Sequence, residues 1–91
     1  MRKIELIKMP AGFPDKFKIE GLELYFTLYD IEPVKVHNNF NKEISCILSP
    51  FQVAVYDMII GAEKKEKWDI YNECRNVFRE MWPEEYRLLI D

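Results

Sequence analysis

The tetrapeptide Ser49-Pro50-Phe51-Gln52 limits the fold of this 91-residue chain more than any other stretch. A serine at the N-cap accepts from an orphan backbone N–H of a helix's first turn. The following proline has its φ already set and lacks only a donor that would go unpaired there. Gln52, three residues after the cap, is placed to accept from the Ser49 backbone N–H and close a capping box. Leu48 and Val53 sit where a hydrophobic staple needs them. The signature therefore predicts a helix from Pro50 and separates an extended first half from a helical second half.

Beyond Pro50 the apolar residues Phe51, Ala54, Val55, Met58, Ile59 and Ala62 recur at the helical period. Val53, Tyr56 and Ile60 make the other sides apolar too, so this helix is expected at the centre of the molecule. Gly61 is expected either to admit another backbone or to end the helix in a left-handed cap. Glu63–Lys67 reads as a frayed end and connection. A second helix should turn Trp68, Tyr71, Cys74, Phe78, Met81 and Trp82 inward, with Asp69, Asn72, Glu73, Asn76 and Glu80 toward water. Pro83 drives Trp82 out of the helical region and opens a short terminal helix with Glu84 and Glu85 at its positive end. Tyr86, Leu89 and Ile90 would dock it.

Before Ser49 the period changes to two. Ile4–Ile7 reads as a short strand, ended by the loop Met9-Pro10-Ala11-Gly12-Phe13-Pro14. Lys16–Ile19 and Leu22–Tyr29 flank Glu20-Gly21 and read as a β-hairpin. Leu22, Leu24, Phe26 and Leu28 then share one face, and Glu23, Tyr25, Thr27 and Tyr29 the other. Leu22, Tyr25, Phe26 and Tyr29 also fit a helical stripe, but the run of Tyr, Phe and Thr favours strand. Asp30–Pro33 is a turn, Val34–Val36 a strand and His37–Asn41 a polar turn. Glu43–Leu48 is a last strand with Ile44, Cys46 and Leu48 on a common face. Strands followed by helices, without βαβ alternation, predict an α+β fold. A small antiparallel sheet from residues 3–48 would pack on two helices and a short C-terminal one, in a single domain spanning 1–91 that is mainly β over 1–48 and mainly α over 49–91.

Hydrophobic residues at 48% with 32% charged are those of an ordinary folded domain, and aromatics at 14% make rings prominent in its core or its surface. The net charge of −3 argues against generic nucleic-acid binding. Basic residues nevertheless gather early, at Arg2, Lys3, Lys8, Lys16 and Lys18, before the acidic run Glu20, Glu23, Asp30 and Glu32. No apolar run reaches the roughly 18 residues of a membrane span, and no apolar segment follows the basic N-terminus as in a signal peptide. Cys46 and Cys74, far apart in apolar patterns, read as free thiols of a reducing cytoplasm.

Recognisable chemistry is scarce. His37, the single histidine, has no metal-ligand companions at the usual spacings, and three glycines form no phosphate-cradling loop. Neither a cofactor nor a metal is expected, and the chain reads as a non-enzyme. Asp57 is the most interesting acid, placed among Val55, Tyr56, Met58 and Ile59. It sits at a wet edge, or pairs with Arg75 or Arg87, or stays protonated and serves proton transfer. The positive case is for binding: Tyr25, Thr27 and Tyr29, on the sheet face away from the helices, offer rigid amphipathic area for a protein partner or a second copy. The alternatives are a nucleic-acid-associated factor using the early basic residues, or a small enzyme subunit around Asp57.

From Ser49 the pattern SPFQVAVYDMIIGAE, followed by CRNVFREMWPEEYRLLID, resembles small uncharacterised proteins of gut-bacterial phages. The similarity rests on Ser49-Pro50-Phe51, Ala54-Val55-Tyr56-Asp57, Gly61-Ala62-Glu63, Pro83 with Tyr86, and Leu89-Ile90-Asp91. These are mainly caps and core positions, so the resemblance bears on fold and carries over no site residue. It implies a phage accessory or inhibitor protein, acting in a host cytoplasm or virion.

Overall fold

A computed structural model describes residues 1–90; Asp91, the last residue of the C-terminal motif, lies outside the described residues. Five strands precede three helices: β1 (Ile4–Ile7), β2 (Lys16–Ile19), β3 (Tyr25–Thr27), β4 (Val34–His37), β5 (Ser45–Leu48), α1 (Pro50–Lys64), α2 (Trp68–Met81) and α3 (Pro83–Leu89). The fold is α+β, with an antiparallel three-stranded sheet in order β1-β2-β3. The strands do not join into one sheet. The Asp30–Pro33 segment carries the chain out of the first, and β4 pairs only with β5 in a separate antiparallel ribbon.

Ile4 pairs with Ile19, Leu6 with Phe17, and Phe17 with Phe26, so these five residues share the face turned toward the helices. Glu5, Lys16, Lys18, Tyr25 and Thr27 occupy the other face. The 22–29 run is strand and not helix, but its regular part is only Tyr25–Thr27, and Lys18 pairs with Tyr25. The turn is therefore longer than two residues. Gly21 within it adopts φ +89°, and a Cβ there would lie 2.6 Å from the Arg2 guanidinium. Arg2 donates from Nη1 to the Glu20 carbonyl (2.9 Å) and from Nε to Glu80 Oε2 (2.8 Å), tying the turn to α2.

The α1 capping box forms in full. Gln52 N–H donates to Ser49 Oγ (3.3 Å) and Ser49 N–H to Gln52 Oε1 (2.7 Å). Phe51 in the first turn meets Phe17 edge-on with centroids 5.0 Å apart, while Phe17 stacks on Phe26 at 5.1 Å. The fully buried stripe of α1 is Val55, Ile59 and Ala62 with Val53 and Tyr56; Ala54 and Met58 are only half-buried. The expected stripe is thus rotated toward Val53 and Tyr56, because α2 and the sheet approach from different sides.

Gly61 neither admits a backbone nor ends the helix: among the described residues, apart from its chain neighbours and its own helix backbone, no heavy atom lies within 4 Å of a Cβ placed there, and α1 continues to Lys64. The terminator is Glu66, at φ 55°, with Lys67 N–H bonded to the Ala62 carbonyl (2.8 Å) and Glu66 N–H to the Glu63 carbonyl (3.1 Å). This is a Schellman pattern with a glutamate where glycine is usual.

On α2, Cys74, Val77, Phe78 and Met81 are buried as a helical stripe. Trp68 departs from the inward set: as the first residue of α2 it is 50% exposed, with its ring edge-on to Tyr71 (5.5 Å). Trp82 closes α2 and begins α3 at φ −135°, where the following Pro83 requires extended backbone. Tyr86 and Leu89 bury α3. Asn38, the buried polar residue of the β4–β5 turn, accepts from the Phe40 and Asn41 N–H groups (2.7 and 3.1 Å) and donates to the Leu88 carbonyl (2.7 Å).

In urea unfolding, Ser49→Ala should lose about 1 kcal/mol with an unchanged m-value, since it leaves a first-turn N–H without its partner. Gly61→Ala should gain about 0.5–1 kcal/mol, because the position is helical and its surroundings are open. A loss on Gly61→Ala would mean that a neighbour occupies that space.

Candidate functional site

The most distinctive surface of the molecule is the outer side of β3. Leu28 N–H donates to the Asp15 carbonyl at 2.8 Å. In an antiparallel ladder alternate pairs exchange both backbone bonds, so Asp15–Leu28 and Phe17–Phe26 face each other through hydrogen bonds. It follows that the N–H and C=O groups of Tyr25, Thr27 and Tyr29 point away from β2. Among the described residues no strand lies on that side and no other group hydrogen-bonds to them. Phe26 between them is buried, whereas Tyr25 is 55% and Tyr29 79% exposed.

Opposite this edge runs α1. Tyr25, Thr27 and Tyr29 line a concavity of about 240 Å³ with Ala54, Asp57 and Met58. Those three helical residues, at i, i+3 and i+4, form one face of α1, the face left over when Val55, Ile59 and Ala62 turn into the core. Asp57 occupies the wet edge and not a buried pair: it is exposed, and among the described residues neither Arg75 nor Arg87 bonds to it. Partial burial among its neighbours still raises its pKa, reinforced by the negative charge of Asp30.

Tyr29 also borders a second concavity, of about 520 Å³, with Leu6, Phe13, Leu28, Ile31 and Phe51 among its walls. Phe13 is 66% and Ile31 94% exposed, so a mainly apolar surface, with Lys8, Asp15 and Asp30 also in its walls, continues from the β3 edge to the loop Met9–Pro14. That loop is held closed by Asp15, whose carboxylate accepts from Met9 N–H (2.9 Å) and contacts Lys8 Nζ (3.3 Å). The Met9 hydrogen bond, with the lysine's help, holds the Asp15 carboxyl below its ordinary range.

The residues expected to bind a partner therefore lie together, with Asp57 beside them. Phe13 and Ile31 were not among those candidates. Their signal was available: each is a large apolar residue inside a proline-bounded segment that can form neither strand nor helix. The early basic residues do not form one patch. Arg2 bonds to Glu80, Lys8 to Asp15, and Lys18 lies over the Tyr25 ring at 5.3 Å. Lys16 and Lys18 share the outer sheet face with Glu5. His37 Nδ1 is 2.9 Å from the Lys42 carbonyl oxygen, within its own turn. Among the described residues no three His, Cys, Asp or Glu side chains are grouped to hold a metal. Burial pushes the Cys74 thiol up to about 12, away from the thiolate range. Among the described residues no helix is long and apolar enough to cross a membrane.

No family model, curated protein or solved structure matches this chain.

A carboxylate whose pKa is raised by folding weakens the fold wherever it is ionised, at pH values above its folded pKa. As the pH falls through that value and the group protonates, the penalty is lifted. Asp57→Asn should accordingly raise Tm at pH 7, and the difference from the parent should close as pH falls below the ordinary Asp value of 3.8. A lower Tm at pH 7 for the Asn variant, by differential scanning calorimetry, would show that Asp57 has a stabilising partner.

Proposed function

We propose that this chain is a non-enzymatic protein-interaction module whose binding surface runs from Phe13 and Ile31 across Tyr29 to Tyr25. The observation that carries this reading is the sharing of Tyr29 by two adjoining concavities, one at the β3 edge and one beneath the Phe13 loop. Scattered exposed apolar residues are normal on a monomer, but a contiguous apolar stretch is a recurrent mark of association. Tyrosine suits such a surface because its ring buries much area at the cost of only two side-chain torsions, and its hydroxyl tolerates water in the free state. The loop carrying Phe13 is pinned by Asp15, so little ordering is left to be done on binding. Resemblance of residues 49–91 to phage-borne proteins fits an accessory or inhibitor role of this kind.

The test is a paired measurement on the parent and a Tyr29→Ser/Ile31→Ser variant. Both positions are highly exposed, so folding stability should change by no more than about 0.5 kcal/mol per site. Association is followed by light scattering across a concentration range and by capture from native-cell extract with mass spectrometry. The variant should weaken the specific association by about 30-fold or more if these are central contacts. Equal association by parent and variant would remove this surface, and salt-sensitive retention on nucleic acid in its place would favour Lys16 and Lys18.

A further inference from the structure

The β3 edge has the parts of a strand-acceptor groove. Natural sheets guard their edges with short strands, charge, proline, bulges or a covering element. The edge of β1 follows that rule, with Lys3 and Lys8 flanking it and Glu5 at its centre. The edge of β3 is short instead: its three residues, Tyr-Phe-Thr, carry no charge and no proline, and they leave backbone groups unpaired at Tyr25 and Thr27, with Tyr29 beyond. A wall stands beside it. Ala54 and Met58 supply a small and a flexible apolar side chain, and Asp57 places a carboxylate between them in sequence on the same face of α1. An extended chain laid along β3 would sit about 4.8 Å from it, with alternate side chains directed toward α1.

Charge selects the occupant. Asp57 feels the negative field of Asp30, and among the described residues it has no ion-pair partner. Lys18 rests on the Tyr25 ring and does not line the groove. A segment carrying a cation at the matching position gains a partner for Asp57, whereas an acidic one meets repulsion.

We propose that the groove between β3 and α1 accepts an extended segment of a partner protein as a fourth strand, with a Lys or Arg of that segment set against Asp57. This deepens the interaction reading above, on which it rests, by stating the binding mode and the chemistry of the partner. Tyr25 and Thr27 would exchange backbone hydrogen bonds with the segment. Met58 and Ala54 would receive one or two small apolar side chains, and Tyr29 would close the end of the groove.

The test uses the isotope-labelled chain and two capped peptides of about eight residues, alternating Thr and Val, with a central Lys in one and a central Glu in the other. Amide spectra should show the Lys peptide shifting Tyr25, Thr27, Tyr29 and the 54–58 turn of α1. On saturation it should slow hydrogen exchange at the Thr27 amide by about tenfold or more. The Glu peptide should bind about fivefold more weakly or worse, and Asp57→Asn should erase that difference.

Absence of shifts with the Lys peptide up to about 1 mM would overturn the proposal. So would shifts without protection of Thr27, or equal binding of the two peptides. Shifts confined to Leu6, Phe13 and Ile31 would sink strand addition while leaving the interaction reading intact. Concentration-dependent shifts at Tyr25 and Thr27 without peptide would assign the edge to a second copy instead. Failure of the broader reading has its own signature, the unchanged association of the Tyr29→Ser/Ile31→Ser variant.

Discussion

Phe17 holds the molecule together at the point where its two halves meet. Its side chain is fully buried, stacked on Phe26 from the neighbouring strand and meeting Phe51 of α1 edge-on. Three elements thus converge on one ring. Each such aromatic pair adds about 0.5–1.5 kcal/mol beyond the area it removes from water. The larger consequence is register. Because strand side chains alternate, a slip of one residue would turn Phe26 to solvent and Tyr25 and Thr27 inward. The Phe17–Phe26 pair therefore decides that the tyrosines face out and that their backbone groups line a free edge. Phe51 reaches Phe17 only because the Ser49 cap starts α1 where it does.

The position of α1 then sets the character of the surface. Its core-facing residues are claimed by α2 on one side and by the sheet and β5 on the other, which leaves Ala54, Asp57 and Met58 as a partly covered face. An acid on that face lies between two regimes. It has enough protein around it to disfavour its charge, and enough water to keep it from needing a partner in the free molecule. Such a group contributes little to folding and is left available for a cation, as the proposed strand addition requires. The exposed apolar residues nearby share this profile, since they add nothing to the core and are consistent with a contact surface.

Much of the architecture could be read from residue order. The capping box, the proline between α2 and α3, and the alternation of Phe17–Ile19 and of Phe26 with its tyrosine neighbours are local signals, and each corresponds to an observed element. The misread positions share another property. Gly61 carries a residue type with several uses, and which use applies depends on whether another chain segment comes near. Trp68 fits the helical period, but period says nothing of whether a neighbour extends far enough to cover it. Glu66 takes a left-handed conformation because the chain must reverse between two packed helices, and glutamate does not advertise that. Asn38 looks like an ordinary turn residue until α3 brings the Leu88 carbonyl against it.

The candidate site divides along the same line. Alternation alone placed Tyr25, Thr27 and Tyr29 on a common face, and composition alone made Asp57 conspicuous on an apolar helix. That the four border one groove, and that Phe13 and Ile31 extend it, depends on how the sheet seats against α1 and how the 9–14 loop folds back. Periodicity is a property of neighbours along the chain, so the sequence by itself determined the helices, the strand faces and the fold class. The division into two sheets, the bare edge of β3 and the groove beside it arise between segments distant in sequence. Only the packing of buried side chains, summed over the whole core, could decide them.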